Sequence, residues 1–152
     1  MAEFYVSLSS LEMAGQIAAM INQYNRWATH FSAHSIYHSM ARYYVEIEGD
    51  KVVGCAGSVQ DYPTLTKVQH ICVLPSHRRR GIAVKLAELA IVNSDTEYVY
   101  MTIREDNIPS LKMAEALDFR YVTKHWFRDH WTLTFGRRRD NDRGCRYGAK
   151  HV

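Results

Sequence analysis

The sequence predicts a mixed α+β domain in which helices and strands share one core. Three observations support this fold class. Apolar residues recur at helical spacing from residue 11 to residue 24, a hairpin pattern follows in residues 43–57, and a strand, a basic loop and a helix occupy residues 68–92. A chain of 152 residues is long enough to bury a core without a metal or a disulfide, so one domain is expected.

The helix predictions rest on capping residues and periodicity. A strand can start at residues 4–6, and Ser9 with Glu12 then matches a capping box that opens the first helix. A second, shorter helix is expected around residues 32–42. A third helix should cover residues 82–92, and Pro109 is suited to the first turn of a fourth, which ends near residues 117–119.

The remaining strands are predicted from alternating or continuous apolar runs between turn residues. Gly49 and Asp50 provide a hairpin turn, and Pro75 ends the strand that precedes the basic loop. These strands cover residues 43–48, 51–57, 68–73, 98–103, 121–127 and 131–135. With the first strand included, the predicted order is βααβββαβαββ, as in an α+β or mixed-sheet fold.

Composition excludes several classes of protein. Hydrophobic residues make up 47% of the chain and charged residues 23%, as in globular proteins. The sequence has neither an apolar run near the ~20 residues that a membrane span needs nor a signal-peptide pattern, so no membrane partner is expected. Three cysteines cannot all pair within the chain, and Cys55 and Cys72 lie in apolar runs, which favours a reducing cytoplasmic location.

The basic charge is concentrated at the C-terminus. Residues 137–152 contain six Lys and Arg against two Asp, whereas residues 1–136 carry 13 basic and 14 acidic side chains. We therefore divide the chain into a domain, residues 1–136, and a polar tail that is expected to be flexible. Such a tail can attract nucleic acid, or it can simply be solvated.

The strongest chemical signal is the strand, basic loop and helix around Gly81. Backbone amides at a helix N-terminus bind anions, and the helix dipole adds to the attraction. Gly81 allows close approach of the backbone, Ala83 leaves room above the first turn, and the three preceding arginines suit phosphate oxygens. A basic surface turn would contain the same residues, so the loop alone does not decide the function.

The wider context resembles the GNAT superfamily of acyl-CoA-dependent N-acetyltransferases. Arg78, Gly81 and Ala83 fill the specified places of its cofactor loop, Q/R-x-x-G-x-G/A. Residues 107–119, beginning with Asn107 and ending in Leu-Asp-Phe, resemble the second motif of the superfamily, N-x-x-A-x-x-x-Y-x-x-x-G-F. The resemblance covers about residues 3–136. It implies a mostly antiparallel, twisted sheet of about seven strands, about four flanking helices and a splayed central strand pair.

The resemblance also implies a cofactor, acetyl-CoA, and the residues that bind it. Amides of residues 79–84 would cradle the pyrophosphate, and the main chain of Ile71 and Val73 would pair with the pantetheine arm. The Val73 amide would polarise the thioester carbonyl as an oxyanion donor. The implied cofactor-binding residues are Ile71, Cys72, Val73, Arg78, Arg79, Arg80, Gly81, Ile82, Ala83, Val84, Asn107 and Ser110.

The chain departs from the family pattern at both proton-transfer positions. Where the family often has a tyrosine as general acid, this chain has Ala114. The usual positions of the general base hold Lys67 and Gln69, and neither side chain is a ready base at neutral pH. Ser110 and Tyr121 are weak candidates to replace the acid. The residues selected as catalytic candidates are Val73, Ser110, Gln69 and His34, the last because of its place in the predicted second helix.

Histidines and aromatic residues are dense in the region of the first two helices. His30, His34 and His38 fall on one helical face, but no carboxylate or cysteine has matching spacing, so no metal is expected. In the family these helices form a wall of the acceptor site, where His34, His38, Tyr37 and Trp27 could recognise an acceptor or relay its proton. Core packing is the alternative for these aromatic residues. No partner is evident in the sequence for His70, His77, His125 and His130.

Three functions are compatible with these observations. The first is an N-acetyltransferase that moves an acetyl group to an amine by direct attack in a ternary complex, the acceptor being a small molecule, a protein amine or a nucleic acid. The second is an acyl-CoA-binding regulatory module without catalysis, and the third a nucleic-acid-binding protein. Family members often form dimers through sheet edges, and the sequence leaves the oligomeric state open.

Overall fold

A computed structural model describes residues 10–25 and 30–140, and these form the expected mixed α+β fold. A short 3₁₀ turn, Pro75–His77, precedes the basic loop. The helices and strands are α1 (Leu11–Tyr24), α2 (Ala33–Tyr37), β1 (Arg42–Glu48), β2 (Lys51–Tyr62), β3 (Leu65–Val73), α3 (Ile82–Val92), β4 (Tyr98–Arg104), α4 (Ile108–Ala116), β5 (Arg120–Phe127) and β6 (His130–Arg138).

The described strands form one sheet in the order β1-β2-β3-β4-β6-β5. Each neighbouring pair is antiparallel except β3 and β4, which are parallel. Six strands and four helices agree with the mostly antiparallel sheet that the sequence predicts. The strand predicted at residues 4–6 lies outside the described residues.

Several predicted boundaries are wrong at the level of individual residues. Ser10, not Ser9, caps α1, since its hydroxyl accepts a hydrogen bond from the Met13 amide at 3.1 Å; Ser9 itself lies outside the described residues. The second helix ends at Tyr37, because the chain must turn to enter β1. The predicted tail starts at Arg137, whereas β6 continues to Arg138; residues 141–152 lie outside the described part.

The two central strands pair along only part of their length. β3 and β4 are in register at three residue pairs, from Leu65 opposite Tyr98 to Lys67 opposite Tyr100. On its other side, β4 pairs with β6 along all seven of its residues. The two parallel strands therefore diverge after Lys67 and leave a gap within the sheet, as the predicted splay requires.

Two apolar clusters fill the faces of the sheet. On one face, α3 buries Leu86, Ala87 and Ala90 against residues of the central strands, and Ala114 and Leu117 belong to the same cluster. On the other face, the buried side of α1 packs with Tyr43, Val45 and other strand residues. Within the described residues, no helix is long and apolar enough to cross a bilayer.

The closest approach of α3 to the sheet occurs at Gly54 and gives a stability prediction. A Cβ at Gly54 would lie 2.8 Å from Ile82 Cγ2 and 3.2 Å from a Leu86 methyl group. Gly54→Val should lower the free energy of unfolding by about 1–3 kcal/mol through overpacking, as measured by urea denaturation. As a control, Gly15→Ala in α1 places its methyl group 3.6 Å from Ala33 Cβ, an ordinary contact. Gly15→Ala should raise the free energy of unfolding by about 0.5–1 kcal/mol. Equal effects of the two changes would contradict the close packing of α3 against Gly54.

Candidate functional site

The gap between β3 and β4 is a cleft of about 370 Å³. Both diverging strands line it, together with the end of α1 and the start of α4. Of the predicted site residues, Gln69, Ile71, Asn107 and Ser110 line this cleft. The fold therefore brings together residues that are about 40 positions apart in the chain.

Two backbone carbonyls of β3 accept hydrogen bonds from side chains outside the sheet. Asn25 Nδ2 donates to the Ile71 carbonyl at 3.4 Å, and Arg78 Nε donates to the Val73 carbonyl at 3.0 Å. Unpaired carbonyls inside a protein are costly, so these donors stabilise a strand edge that β4 does not cover. The two carbonyls belong to Ile71 and Val73, the residues whose main chain the family resemblance predicts to pair with the pantetheine arm.

A bulge in β3 places a histidine at the cleft. The register with β2 shifts between Cys55 and Gly57, and opposite this shift His70 has a positive φ of 54°. His70 lines the cleft beside Gln69, although only 7% of its surface is exposed. Its Nδ1 lies 2.6 Å from the hydroxyl of Tyr43, which is 1% exposed. The sequence indicated no partner for His70, and the structure corrects this.

Both members of this pair are uncharged at neutral pH. Burial, with a smaller contribution from the charge of Lys67, lowers the pKa of His70 to about 4. Burial, followed by the influence of Cys55, raises the pKa of the Tyr43 hydroxyl well above its usual value. The short hydrogen bond thus joins a neutral imidazole to a neutral phenol, and Phe31 packs edge-on against the imidazole at 4.8 Å between centroids.

The basic loop leads directly into α3. Gly81 is the N-cap residue with a left-handed φ of 77°, and a Cβ placed there would meet nothing within 4 Å. The amides of the first helical turn have no acceptor within the helix, and no side chain caps them. The guanidinium of Arg78 lies over the Tyr24 ring at 5.3 Å, and its role as a phosphate ligand stays a prediction.

A hydrogen-bonded chain holds the loop to β1. Ser76 Oγ is 2.7 Å from His77 Nδ1, and His77 Nε2 is 2.8 Å from Glu48 Oε2. The hydrogen bond from His77 is the main cause that lowers the pKa of the Glu48 carboxyl. His77 therefore has a structural partner that the sequence did not indicate, as does His130, which lies 2.9 Å from Asp129.

Other predicted site residues lie elsewhere. Cys72 points away from the cleft, with Sγ 3.7 Å from the Met20 carbonyl of α1. His34 is exposed on α2 with its ring 6.0 Å from that of His38, and it does not line the cleft. Tyr121 is exposed on β5 and contacts Phe135. Trp27 lies outside the described residues, and within the described ranges no group of three or more candidate ligands could hold a metal.

At the start of α4, Asn107 serves as a helix cap. Its Oδ1 accepts a hydrogen bond from the Ser110 amide at 3.3 Å, which fixes both residues at the edge of the cleft. Ala114, one turn later, is fully buried in the core, so this position offers no acid to the cleft. Asp106 also lines the cleft, but its carboxylate pairs with Arg104 at 3.1 and 3.3 Å.

Sequence reasoning missed the His70–Tyr43 pair because its two members are 27 residues apart in the chain. One signal was available. Gln69 and His70 are adjacent polar residues within an otherwise apolar strand, and such a pair breaks the alternation of a regular strand, as a bulge does. Nothing in the sequence pointed to Tyr43 as the partner.

Comparison with known proteins agrees with this geometry. Residues 8–119 match the acetyltransferase (GNAT) family. An N-alpha-acetyltransferase of Saccharolobus solfataricus is 28% identical over 95 residues, which cover 53% of this chain and 57% of that protein, so the match spans little more than half of the relative.

Solved structures share the fold over nearly the whole chain. The protein smu.2055 of Streptococcus mutans has a TM-score of 0.78 and 19% identity, covering 91% of this chain and 99% of its own. The protein yncA of Salmonella typhimurium, solved with its cofactor acetyl-CoA, has a TM-score of 0.74 and 13% identity, covering 93% and 96%.

The lowered pKa of His70 predicts a pH-dependent loss of stability. Because the folded pKa, about 4, lies below the usual 6.5, the unfolded chain binds a proton first as the pH falls. The contribution of the neutral His70 to the free energy of unfolding is complete above pH 6.5 and is lost as the pH falls towards 4. Lowering the pH from 7 to 5 should therefore reduce the free energy of unfolding by about 2 kcal/mol.

Urea denaturation of the wild type and His70→Asn at both pH values measures this cost. Asparagine tolerates a positive φ and does not titrate, so the variant should lose about 2 kcal/mol less than the wild type. Equal losses in the two proteins would show that His70 is not buried in the neutral form.

Proposed function

The chain belongs to the acetyltransferase (GNAT) family, and from this premise we propose that it transfers an acetyl group from acetyl-CoA to a primary amine by direct attack in a ternary complex. Family membership makes the chain an acyltransferase with acetyl-CoA as co-substrate. The observation that carries the proposed reaction is the cleft between β3 and β4, which the edge of β3 and the start of α4 both line.

The residues present fit acetyl-CoA. Nothing crowds Gly81 at the N-terminus of α3, where uncapped amides and the helix dipole favour the pyrophosphate. The uncovered edge of β3 at Ile71 and Val73 suits an extended pantetheine arm, whose amides can replace the contacts from Asn25 and Arg78. Bound acetyl-CoA supplies an activated thioester.

The amide of Val73 is our proposed oxyanion donor. It lies at the end of β3, where a backbone donor can stabilise the charge that develops on the thioester oxygen. Arg78 Nε donates to the carbonyl of the same residue, which helps to hold this end of β3 in place. Ser110 remains a proposed polar contact at the α4 edge of the cleft.

We propose an α-amino group, as at a polypeptide N-terminus, as the acceptor. The relative from Saccharolobus solfataricus is an N-alpha-acetyltransferase. A physical argument supports the same choice, because the carboxylate lining the cleft is paired with Arg104 and the cleft histidine is a weak base. At pH 7.5 about a third of α-amino groups are uncharged, against about 0.1% of lysine side chains.

We also propose a cytoplasmic location and a possible homodimer. Cys55 and Cys72 are buried free thiols, which suits a reducing cytoplasm. A homodimer through a sheet edge is compatible with β5, whose residues are all exposed.

A nucleic-acid-linked amine remains an alternative acceptor, since residues 120–139 contain six Lys and Arg against one Asp.

Calorimetric titration with acetyl-CoA tests the cofactor loop. Gly81→Glu would place a carboxylate beside the pyrophosphate, and two unit charges about 4 Å apart repel by about 4 kcal/mol at an effective dielectric constant of 20. Affinity should fall by at least roughly 100-fold. The control is Arg128→Glu in the β5–β6 turn, which also has a positive φ, 59°, and should bind as the wild type does. Failure of the wild type to bind would refute the proposed cofactor site.

Two matched peptides test the acceptor. One has a free α-amine and acetylated lysines, and the other has an acetylated N-terminus and one free lysine. At pH 7.5 kcat/KM should favour the free α-amine by about 100-fold or more, because more of it is uncharged. The rate on lysine should continue to rise above pH 9, whereas the α-amine rate levels off. Equal rates at pH 7.5 would exclude the proposed acceptor preference.

A further inference from the structure

The cleft between β3 and β4 carries a positive charge in excess. Among the described residues that line it, the charged side chains are those of Lys67, Arg104 and Asp106. Asp106 accepts hydrogen bonds from Arg104 at 3.1 and 3.3 Å, so these two charges compensate each other. His70 adds no charge at neutral pH, because burial lowers its pKa to about 4. The excess positive charge of the cleft is therefore that of Lys67.

The side chain of Lys67 projects to the face of the sheet on which α1 packs. Successive side chains of a strand point to opposite faces, and the next residue, Val68, is buried in the cluster that α3 forms with the sheet. Lys67 therefore points to the other face, where Tyr24 and Asn25 at the end of α1 also line the cleft. After burial, the charge of Lys67 is the second cause of the lowered pKa of His70, so this charge acts within the cleft.

Within the described part of the chain, Lys67 makes no hydrogen bond or ion pair that would compensate its charge. The residues opposite it are Val59 on β2 and Tyr100 on β4. The hydroxyl of Tyr100 donates to the carboxylate of Asp61, which is thus engaged by the phenol. Because Lys67 is half-buried, water and salt screen its charge less than they screen a surface lysine. An anionic group that enters the cleft would meet this charge.

The position of Lys67 along β3 assigns its charge to the acceptor rather than to the cofactor phosphates. The basic loop follows Val73 at the end of β3, and Lys67 lies six residues before Val73. At about 3.3 Å per residue the two positions are roughly 20 Å apart, too far for Lys67 to contact a pyrophosphate at the start of α3. An extended peptide spans about 3.3–3.6 Å per residue. An acceptor whose α-amine lies near Val73 can therefore bring its next few side chains towards Lys67.

We infer that Lys67 makes the protein selective for polypeptide acceptors with acidic side chains in the residues that follow the α-amine. This inference rests on the proposed acetyltransferase function and its polypeptide acceptor. A carboxylate in the cleft would form a charge-assisted contact with Lys67, whereas a basic side chain would meet a like charge. Lys67 is thus a specificity-determining residue and not a base, since an ammonium group has no lone pair to accept a proton.

Two isosteric acceptor peptides measure the preference of the wild type. Both begin with Ser, carry either Glu or Gln at positions 2–4, and share the rest of their sequence. At pH 7.5, low salt and saturating acetyl-CoA, kcat/KM should be roughly tenfold higher for the Glu peptide, which two unit charges about 10 Å apart achieve at an effective dielectric constant of 20. Acidic neighbours make an α-amine more basic and leave less of it uncharged, so the amine itself cannot cause this preference.

Substitutions of Lys67 separate its charge from its packing. Lys67→Gln should bring the ratio of the two kcat/KM values close to one, and Lys67→Glu should make the Gln peptide the better acceptor. Lys67→Arg keeps the charge and should keep the preference for Glu. As a control, Lys51→Glu makes the same charge change at an exposed position outside the cleft. Because solvent screens that position, the ratio should stay within about twofold of the wild type.

The outcomes separate this inference from the proposed function. A wild type that acetylates both peptides at equal rates overturns the role of Lys67 and leaves the acetyltransferase proposal intact. A preference for Glu that persists in Lys67→Gln and Lys67→Glu has the same consequence. The wild-type ratio needs no variant, so the test does not depend on how a substituted chain folds. A wild type that binds acetyl-CoA and acetylates neither peptide overturns both the polypeptide acceptor and the role of Lys67.

Discussion

The incomplete pairing of β3 with β4 is the constraint on which the rest of the structure depends. Three paired positions hold the strands together at one end, and beyond Lys67 the edge of β3 faces a cleft. A strand edge inside a protein must find other hydrogen-bond partners. Asn25 and Arg78 provide two of them for the Ile71 and Val73 carbonyls. The same exposed edge makes the cleft suitable for an extended ligand that can take over those hydrogen bonds.

Local signals in the sequence were sufficient for most of the fold. The bounds of α3 agree with the prediction of residues 82–92, because a glycine precedes a continuous apolar periodicity there and polar residues follow it. The cap of α1 was misplaced by one residue because Ser9 and Ser10 are adjacent and equally able to cap. The second helix was predicted too long, since its end depends on where β1 joins β2, and that is a tertiary contact.

The candidate site could be predicted only where its chemistry is local. The loop around Gly81 and the cap at Asn107 are short segments whose function follows from neighbouring residues. The bulge at His70 depends on the register between β2 and β3, and the Tyr43 contact joins two strands that are not adjacent in the sheet. Neither can be read from one segment, so His70 was not selected and His34, at helical spacing, was. In the structure His70 lines the cleft and His34 does not.

The burial of His70 and the proposed choice of acceptor are connected physically. A carboxylate in this cleft would be a stronger base, but burying its charge costs free energy unless a partner neutralises it, as Arg104 does for Asp106. A neutral imidazole avoids that cost, and burial then makes it too weak to deprotonate a fully charged lysine. An amine that is already partly uncharged in solution removes the need for a strong base. The buried His70–Tyr43 pair is therefore consistent with the proposed α-amino acceptor, since both suit a cleft that holds no strong base.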